Sequence, residues 1–169
     1  MSDFKTNLND NRLAEEAAHG LDGVIDKTDP KHSKHLYGLV VQYEDIDAGG
    51  IVYHSTYLNF AERARSALLR ASKFDVQYWL AEENQGFVIT HIETDYLSPA
   101  KLHNRLIVET SCLQLGGASA LLQQNINSFD RGHIFARVMV KAAWVDIELG
   151  PRKFPEPLQM VLRSFQPKL

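Results

Sequence analysis

Sorted into apolar and polar positions, the chain changes its period several times, and each change marks an element. Residues 1–34 hold no sustained period; they are rich in Asp, Asn, Lys and His and poor in large apolar side chains. Such a stretch buries too little surface to offset the entropy of ordering it, so it reads as a flexible N-terminal extension in which Leu13 to Ala18 offer a helical turn or two. The domain proper is expected over residues 35–169. There, Leu39, Val41 and Tyr43 alternate with Val40, Gln42 and Glu44, the period of a first strand. Gly49-Gly50 breaks that run. Ser55 or Thr56 then offers an N-cap oxygen, and Tyr57, Ala61, Ala64, Leu68 and Ala71 recur at helical spacing, with Asn59, Glu62, Arg63, Ser66 and Arg70 on the opposite side. The alanines in that stripe allow the helix axis to lie close to a sheet. A shorter helix is predicted from a cap at Asp75 to about Glu83, with Gly86 just beyond it.

From there the period is two. Val88, Thr90, Ile92, Thr94 and Tyr96 share one predicted face, and Leu106, Val108, Thr110 and Cys112 share another. Gly116-Gly117 turns the chain into Leu122-Gln124-Ile126, and Asp130-Arg131-Gly132 turns it again. The last strand sets Ala136, Val138, Val140, Ala142 and Trp144 on one side. Pro151, Pro155 and Pro157 end it, and residues 158–165 predict a short final helix with Pro157 near its start. Tight turns make the later strands antiparallel neighbours, and the one long helix must cover a face of their sheet. The expected fold is therefore α+β, a long central helix wrapped by a curved antiparallel sheet of about five strands: the hot-dog architecture.

Composition narrows the functional classes. A formal net charge of −3 over 169 residues leaves no electrostatic footprint for nucleic acid. The single cysteine, Cys112, excludes a disulfide within the chain and reads as a small core residue. No stretch of 18 apolar residues occurs, and the first twenty residues have no apolar signal core, so the expectation is a soluble cytoplasmic protein.

The chemistry concentrates in Tyr43-Glu44-Asp45-Ile46-Asp47-Ala48-Gly49-Gly50-Ile51-Val52-Tyr53-His54. This order sets a carboxylate beside the amino end of a helix, where backbone N–H groups lack intrahelical partners and can hold an anion or a polarised carbonyl oxygen. A carboxylate and an oxyanion-binding helix end facing one cavity suit the splitting of an activated ester. The bland reading of Asp47 is a turn carboxylate bonded to its own backbone two residues on, the commoner role of Asp beside Gly. Asp45 reads as a loop-stabilising residue. The pair has no His or Cys at ligand spacing, so no metal is expected, nor any organic cofactor. His54 reads as a site position, through its backbone, through its imidazole toward substrate or Asp47, or as a polar rim. Tyr57 reads as core. No Gly-x-Ser-x-Gly elbow or phosphate-binding glycine loop is present.

The run from Tyr43 to Arg65, YEDIDAGGIVYHSTYLNFAERAR, resembles the signature of the hot-dog acyl-CoA thioesterases of the 4-hydroxybenzoyl-CoA thioesterase type, nearest the YbgC-like subgroup associated with the Tol–Pal envelope system. The likeness extends from about Tyr37 to Phe165 and includes TDYLSPAKL, Thr94 to Leu102. The resemblance implies that Asp47 is the catalytic carboxylate and that the backbone N–H of His54 binds the thioester carbonyl. Gly50, Val52 and Tyr53 of the same run are expected to bind substrate, as is Ser66, which lies one helical turn on from Glu62 and reads as lining an acyl pocket. It further implies hydrolysis of short- to medium-chain acyl-CoA to free acid and CoA, with acyl carrier protein as another carrier. Subunits are expected to join edge to edge as homodimers or homotetramers with active sites at the interface. Peripheral association with the inner membrane or with lipid-synthesis enzymes belongs to the same expectation. The rivals are a hot-dog dehydratase of 3-hydroxyacyl thioesters and a non-catalytic acyl-CoA-binding or envelope-complex protein.

Overall fold

The computed structural model describes residues 12–29, 31 and 33–167. In chain order the elements are helix α1 (residues 12–19), β1 (Val24–Asp26), β2 (Lys34–Val40), a 3-10 turn (Tyr43–Asp45), α2 (Thr56–Ala71), α3 (Val76–Glu82), β3 (Gln85–Tyr96), β4 (Arg105–Leu115), β5 (Ser119–Ser128), β6 (Ile134–Asp146), β7 (Gly150–Pro151) and α4 (Glu156–Ser164). The strands form one antiparallel sheet in the order β1-β2-β4-β5-β6-β3, with β7 paired to β6. Four of the five expected strands lie where their periods set them, the first lies earlier in the chain, and two short strands extend the sheet.

Helix α2 lies across the inner face of this sheet. Its buried side, Tyr57, Phe60, Ala61 and Ala64, meets Leu106 and Val108 of β4, Ile126 of β5 and Ala136, Val138 and Val140 of β6. Small side chains at residues 61 and 64 set the close approach that the alanine stripe predicts. A second core at the far end gathers Leu68, Phe74, Leu122, Trp144, Leu158 and Phe165 under α3 and α4. Asp75 caps α3 as expected, its carboxylate accepting from the Tyr78 N–H at 3.0 Å. Cys112 is buried in this second core, and burial pushes its thiol up to about 12. Among the described residues, no helix is long and apolar enough to cross a membrane.

Three expectations need correction. The first strand ends at Val40, and residues 43–45 make a 3-10 turn with Tyr43 82% exposed, so the alternation at 39–44 marks the exit from a strand. In β3, a bulge between Ile89 and His91 shifts the register by one. Pairing opposite buried Ala142 and Val140 therefore puts Ile89 and Ile92 on the inner face, while Val88 and His91 pair with Ala143 and Lys141 on the outer. Residues 12–29, read from composition as a flexible extension, carry α1 and β1, and Leu13, Ala14 and Ala17 are buried against Leu36 and Ile107. The physical reason is that α1 needs little apolar surface of its own; β2 and β4 supply the rest. Residues 1–11 lie outside the described residues.

Candidate active site

The loop from β2 to α2 is built on Asp45. Its buried carboxylate accepts the Gln42 N–H at 2.7 Å, its own N–H reaches the Gln42 carbonyl at 3.1 Å, and its carbonyl accepts the Tyr53 N–H at 2.9 Å. Asp45 is thus the loop-stabilising carboxylate. Two residues on, Asp47 is exposed and bends the chain: its N–H donates to the Ile51 carbonyl, its carbonyl accepts from Gly50, and Oδ1 accepts the Gly49 N–H at 2.7 Å. Gly50 closes the bend at φ +76°, a conformation that side chains with a Cβ rarely adopt. The backbone turn bond of the bland reading is therefore present. It occupies one carboxylate oxygen; Oδ2 makes no hydrogen bond among the described residues.

Beside that carboxylate lies a crevice of about 390 Å³, lined by Asp47, Ile51, Val52, His54, Tyr57, Tyr96, Leu97, Ser98 and Pro99. The segment 96–101 forms its far wall and is tied to the loop and to α2. The Val52 N–H donates to the Ala100 carbonyl at 2.9 Å, the Ala100 N–H donates to the Tyr57 hydroxyl at 3.0 Å, and Ile51 bridges Lys101. Tyr57 is buried, which raises its hydroxyl above the ordinary tyrosine value, so it anchors rather than ionises. The Tyr96 hydroxyl donates to the His54 carbonyl at 3.0 Å, and its ring meets the His54 ring edge-on.

The amino end of α2 opens on the same crevice. Ser55 stands at the cap position, yet its hydroxyl makes no capping bond. The expected N-cap oxygen is therefore not engaged, and the His54 and Ser55 backbone N–H groups make no hydrogen bond among the described residues. Open donors at a helix amino terminus favour negative charge. The exposed His54 imidazole leans on Tyr53 at 4.3 Å between ring centroids.

The structure therefore gathers Asp47, Val52 and His54 in one crevice. Gly50 shapes the bend without lining it, and Tyr53 stands outside, supporting the His54 ring. Ser66 is ten residues along α2, at ~1.5 Å per residue too far to share the crevice. It borders instead a cavity of about 730 Å³ between α2, α3 and the Gln85 end of β3, and a smaller apolar one beneath it. Its hydroxyl bonds Glu62, which also pairs with Arg65; Arg65 in turn reaches the fully buried Gln124 at 2.6 Å. Sequence reasoning misses Tyr96, Leu97 and Ser98 as crevice residues, although all three lie within TDYLSPAKL. Ser98 Oγ also lies 2.6 Å from His133 Nε2, joining this wall to the β5–β6 turn. Among the described residues, no cluster of three His, Cys, Asp or Glu side chains is arranged to hold a metal.

The profile of the thioesterase-like superfamily matches residues 41–165. The acyl-CoA thioesterase YbgC of Haemophilus influenzae is 39% identical over 120 residues, which cover 70% of this chain and 87% of that protein. Among solved structures, a probable thioesterase from Bartonella henselae superposes with a TM-score of 0.67 at 30% identity, covering 72% of this chain and 99% of the other. A 1,4-dihydroxy-2-naphthoyl-CoA thioesterase from Synechocystis shares the fold at a TM-score of 0.73 and 20% identity, covering 78% and 96%.

Proposed function

This chain belongs to the thioesterase-like superfamily, and from that premise we propose that it is an acyl-CoA thioesterase whose catalytic carboxylate is Asp47. One observation carries the residue assignment: an unbonded oxygen of Asp47 and an uncapped helix terminus share a crevice. A thioester seated with its carbonyl oxygen at the tip of α2 meets the His54 and Ser55 N–H groups at the positive end of the helix dipole. Asp47 takes a proton from water, and the water oxygen adds to the carbonyl carbon. On collapse the C–S bond breaks, sulfur leaves with the electron pair and receives the proton, and free acid and CoA result. Direct attack by Asp47, giving a mixed anhydride that water then opens, uses the same groups. The imidazole of His54 forms the rim, and its backbone does the polarising.

The second subunit enters through β3. This edge strand is 12 residues long, and Ile89, Ile92 and Tyr96 on its inner face stay exposed. Two copies paired through β3 about a twofold axis run antiparallel, which sets the Tyr96 end of each, with its Asp47 crevice, beside the Gln85 end of the other. Ser66 then has a role: the cavity it borders receives the acyl group of a thioester cleaved by the partner's Asp47. A mostly apolar cavity suits a short- to medium-chain acyl group, carried by CoA or by acyl carrier protein, in the cytoplasm.

Asp47→Asn tests the residue assignment cleanly. Its amide oxygen still accepts the Gly49 N–H and keeps the bend, while the base is gone. Assayed against a panel of acyl-CoAs by release of CoA, the variant is expected to lose roughly 10²–10⁴ in kcat; wild-type turnover would reduce Asp47 to a turn residue. Wild-type protein that binds acyl-CoA without releasing CoA would support the non-catalytic rival.

A further inference from the structure

We propose that residues 12–29 are a built-in cap over one flank of the sheet, and that this cap confines self-association of the chain to the opposite edge, β3. The inference rests on the β3 pairing proposed above. The superfamily match spans residues 41–165, and residues 12–29 lie before it.

A sheet of this kind has two edges and an outer face through which copies can join. The β3 edge is long and bare. At the other edge, β1 pairs with β2 for three residues only, and the chain then turns away, because the Asp26 carboxylate accepts both the N–H and the hydroxyl of Thr28 at 2.9 and 2.7 Å. That carboxylate is buried and faces Arg131 of the β5–β6 turn at 3.8 Å, which pins the short strand to the body of the sheet. This edge consists of the three pinned residues of β1 and the four residues of β2 beyond them, 37–40, against twelve in β3, so it offers little to a second copy.

The outer face beside it is closed by α1. Leu36 of β2 and Ile107 of β4 point outward, away from α2, and both are fully buried by Leu13, Ala14 and Ala17. Between them lies Gly38, where an added Cβ would sit 2.5 Å from the Ala18 Cα. The strand is bare at the point where the helix backbone touches it. Glu15 holds Arg105 at 3.1 Å, and the Arg105 guanidinium lies 3.5 Å over the Phe129 ring, sealing the rim. At the α1–β1 junction, Asp22 pairs with Arg70 on the last turn of α2 at 2.6 Å, while its carbonyl meets His35 Nε2 at 2.7 Å. The segment is thus fastened to the outer face, the inner helix and the edge together. With it displaced, Leu36, Ile107 and Phe129 form an apolar patch of the kind that stacks a second sheet. The occupant of the uncapped patch is a second copy of this chain, stacked face to face on the first.

The test uses full-length protein: wild type, Gly38→Leu, and the double variant Leu13→Asp with Ala17→Asp. The substitutions attack the same contact from opposite sides, and the double variant leaves residues 35–169 untouched. Limited trypsin digestion reads whether residues 12–31 are released, sedimentation velocity reads the assembly, and CoA release per subunit reports that the domain is folded. Wild type is expected to sediment as a dimer. Each variant should be cut within 12–31 at least tenfold faster and shift to tetramers or larger species, with turnover retained. A variant that releases the segment yet stays dimeric overturns the cap and leaves β3 pairing intact. So does a wild type already beyond a dimer, or a Gly38→Leu protein that stays protected. A monomeric wild type overturns the β3 pairing and the cap together.

Discussion

The loop at residues 41–55 and the segment at 12–29 both lie outside the long strands, yet they treat their polar groups in opposite ways. The segment closes its groups inward: Asp26 on Thr28 and Arg131, Glu15 on Arg105, Asp22 on Arg70. The loop keeps some open, leaving Asp47 Oδ2 and the first N–H groups of α2 toward a crevice. The lesson is that a reactive site can be recognised by a carboxylate left half unbonded in a molecule whose nearby carboxylates are engaged. Asp45 and Asp47 compress that contrast into three residues, one buried and engaged, the other exposed and half free.

The contrast can be broken, and the largest effect is kinetic. Asp47→Asn should cost roughly 10²–10⁴ in kcat with the urea midpoint unmoved; a fall in stability equal to the loss of rate would make the residue structural. Next comes Ile107→Ala, expected to cost about 2–5 kcal/mol in urea unfolding, because α1 holds that side chain in a core. A cost near zero would mean that the segment does not cover it. Asp45→Ala should destabilise by about 1–3 kcal/mol, since it strips a buried partner from the Gln42 N–H. Full turnover per folded molecule would confirm its scaffold role. A smaller effect is expected from His35. Burial holds its imidazole below the ordinary histidine value, and Nδ1 has no partner. Folded protein therefore takes up the proton later than unfolded chain, and stability should fall as pH drops below about 6.5. The imidazole faces the Asp22 carbonyl and carboxylate, with Arg70 behind them and Thr110 across the strand pair. His35→Leu should flatten the midpoint difference between pH 8 and pH 5.5; an undiminished slope would point to other groups. The smallest effect belongs to Glu15→Ala, whose exposed pair with Arg105 is worth at most about 1 kcal/mol.

What was legible in the sequence followed from periods that a single face dictates. The α2 stripe and the β5 and β6 faces were readable because each buries one side against the core, the inner face of β4 because Leu106, Val108 and Cys112 alternate, and the start of α3 because Asp75 is a local cap. The β3 face was not, since a bulge at an edge strand leaves no compositional mark. Neither was α1, whose three buried residues, two of them alanines, form a weak stripe that packs on Leu36, Gly38 and Ile107, residues well downstream in the chain. In the candidate site, the Asp47–His54 string stood out by its order of residue types. Tyr96 and Ser98 did not, because a wall that folds back from forty residues downstream is written in tertiary contacts such as Tyr96 to the His54 carbonyl.

Cys112 carries a practical corollary. With its sulfhydryl sunk in the second core and kept protonated far above neutrality, the folded protein should stay colourless toward disulfide reagents such as Ellman's. Every yellow equivalent released during turnover would then report one coenzyme A, and slow oxidation in air would not cross-link one folded molecule to the next.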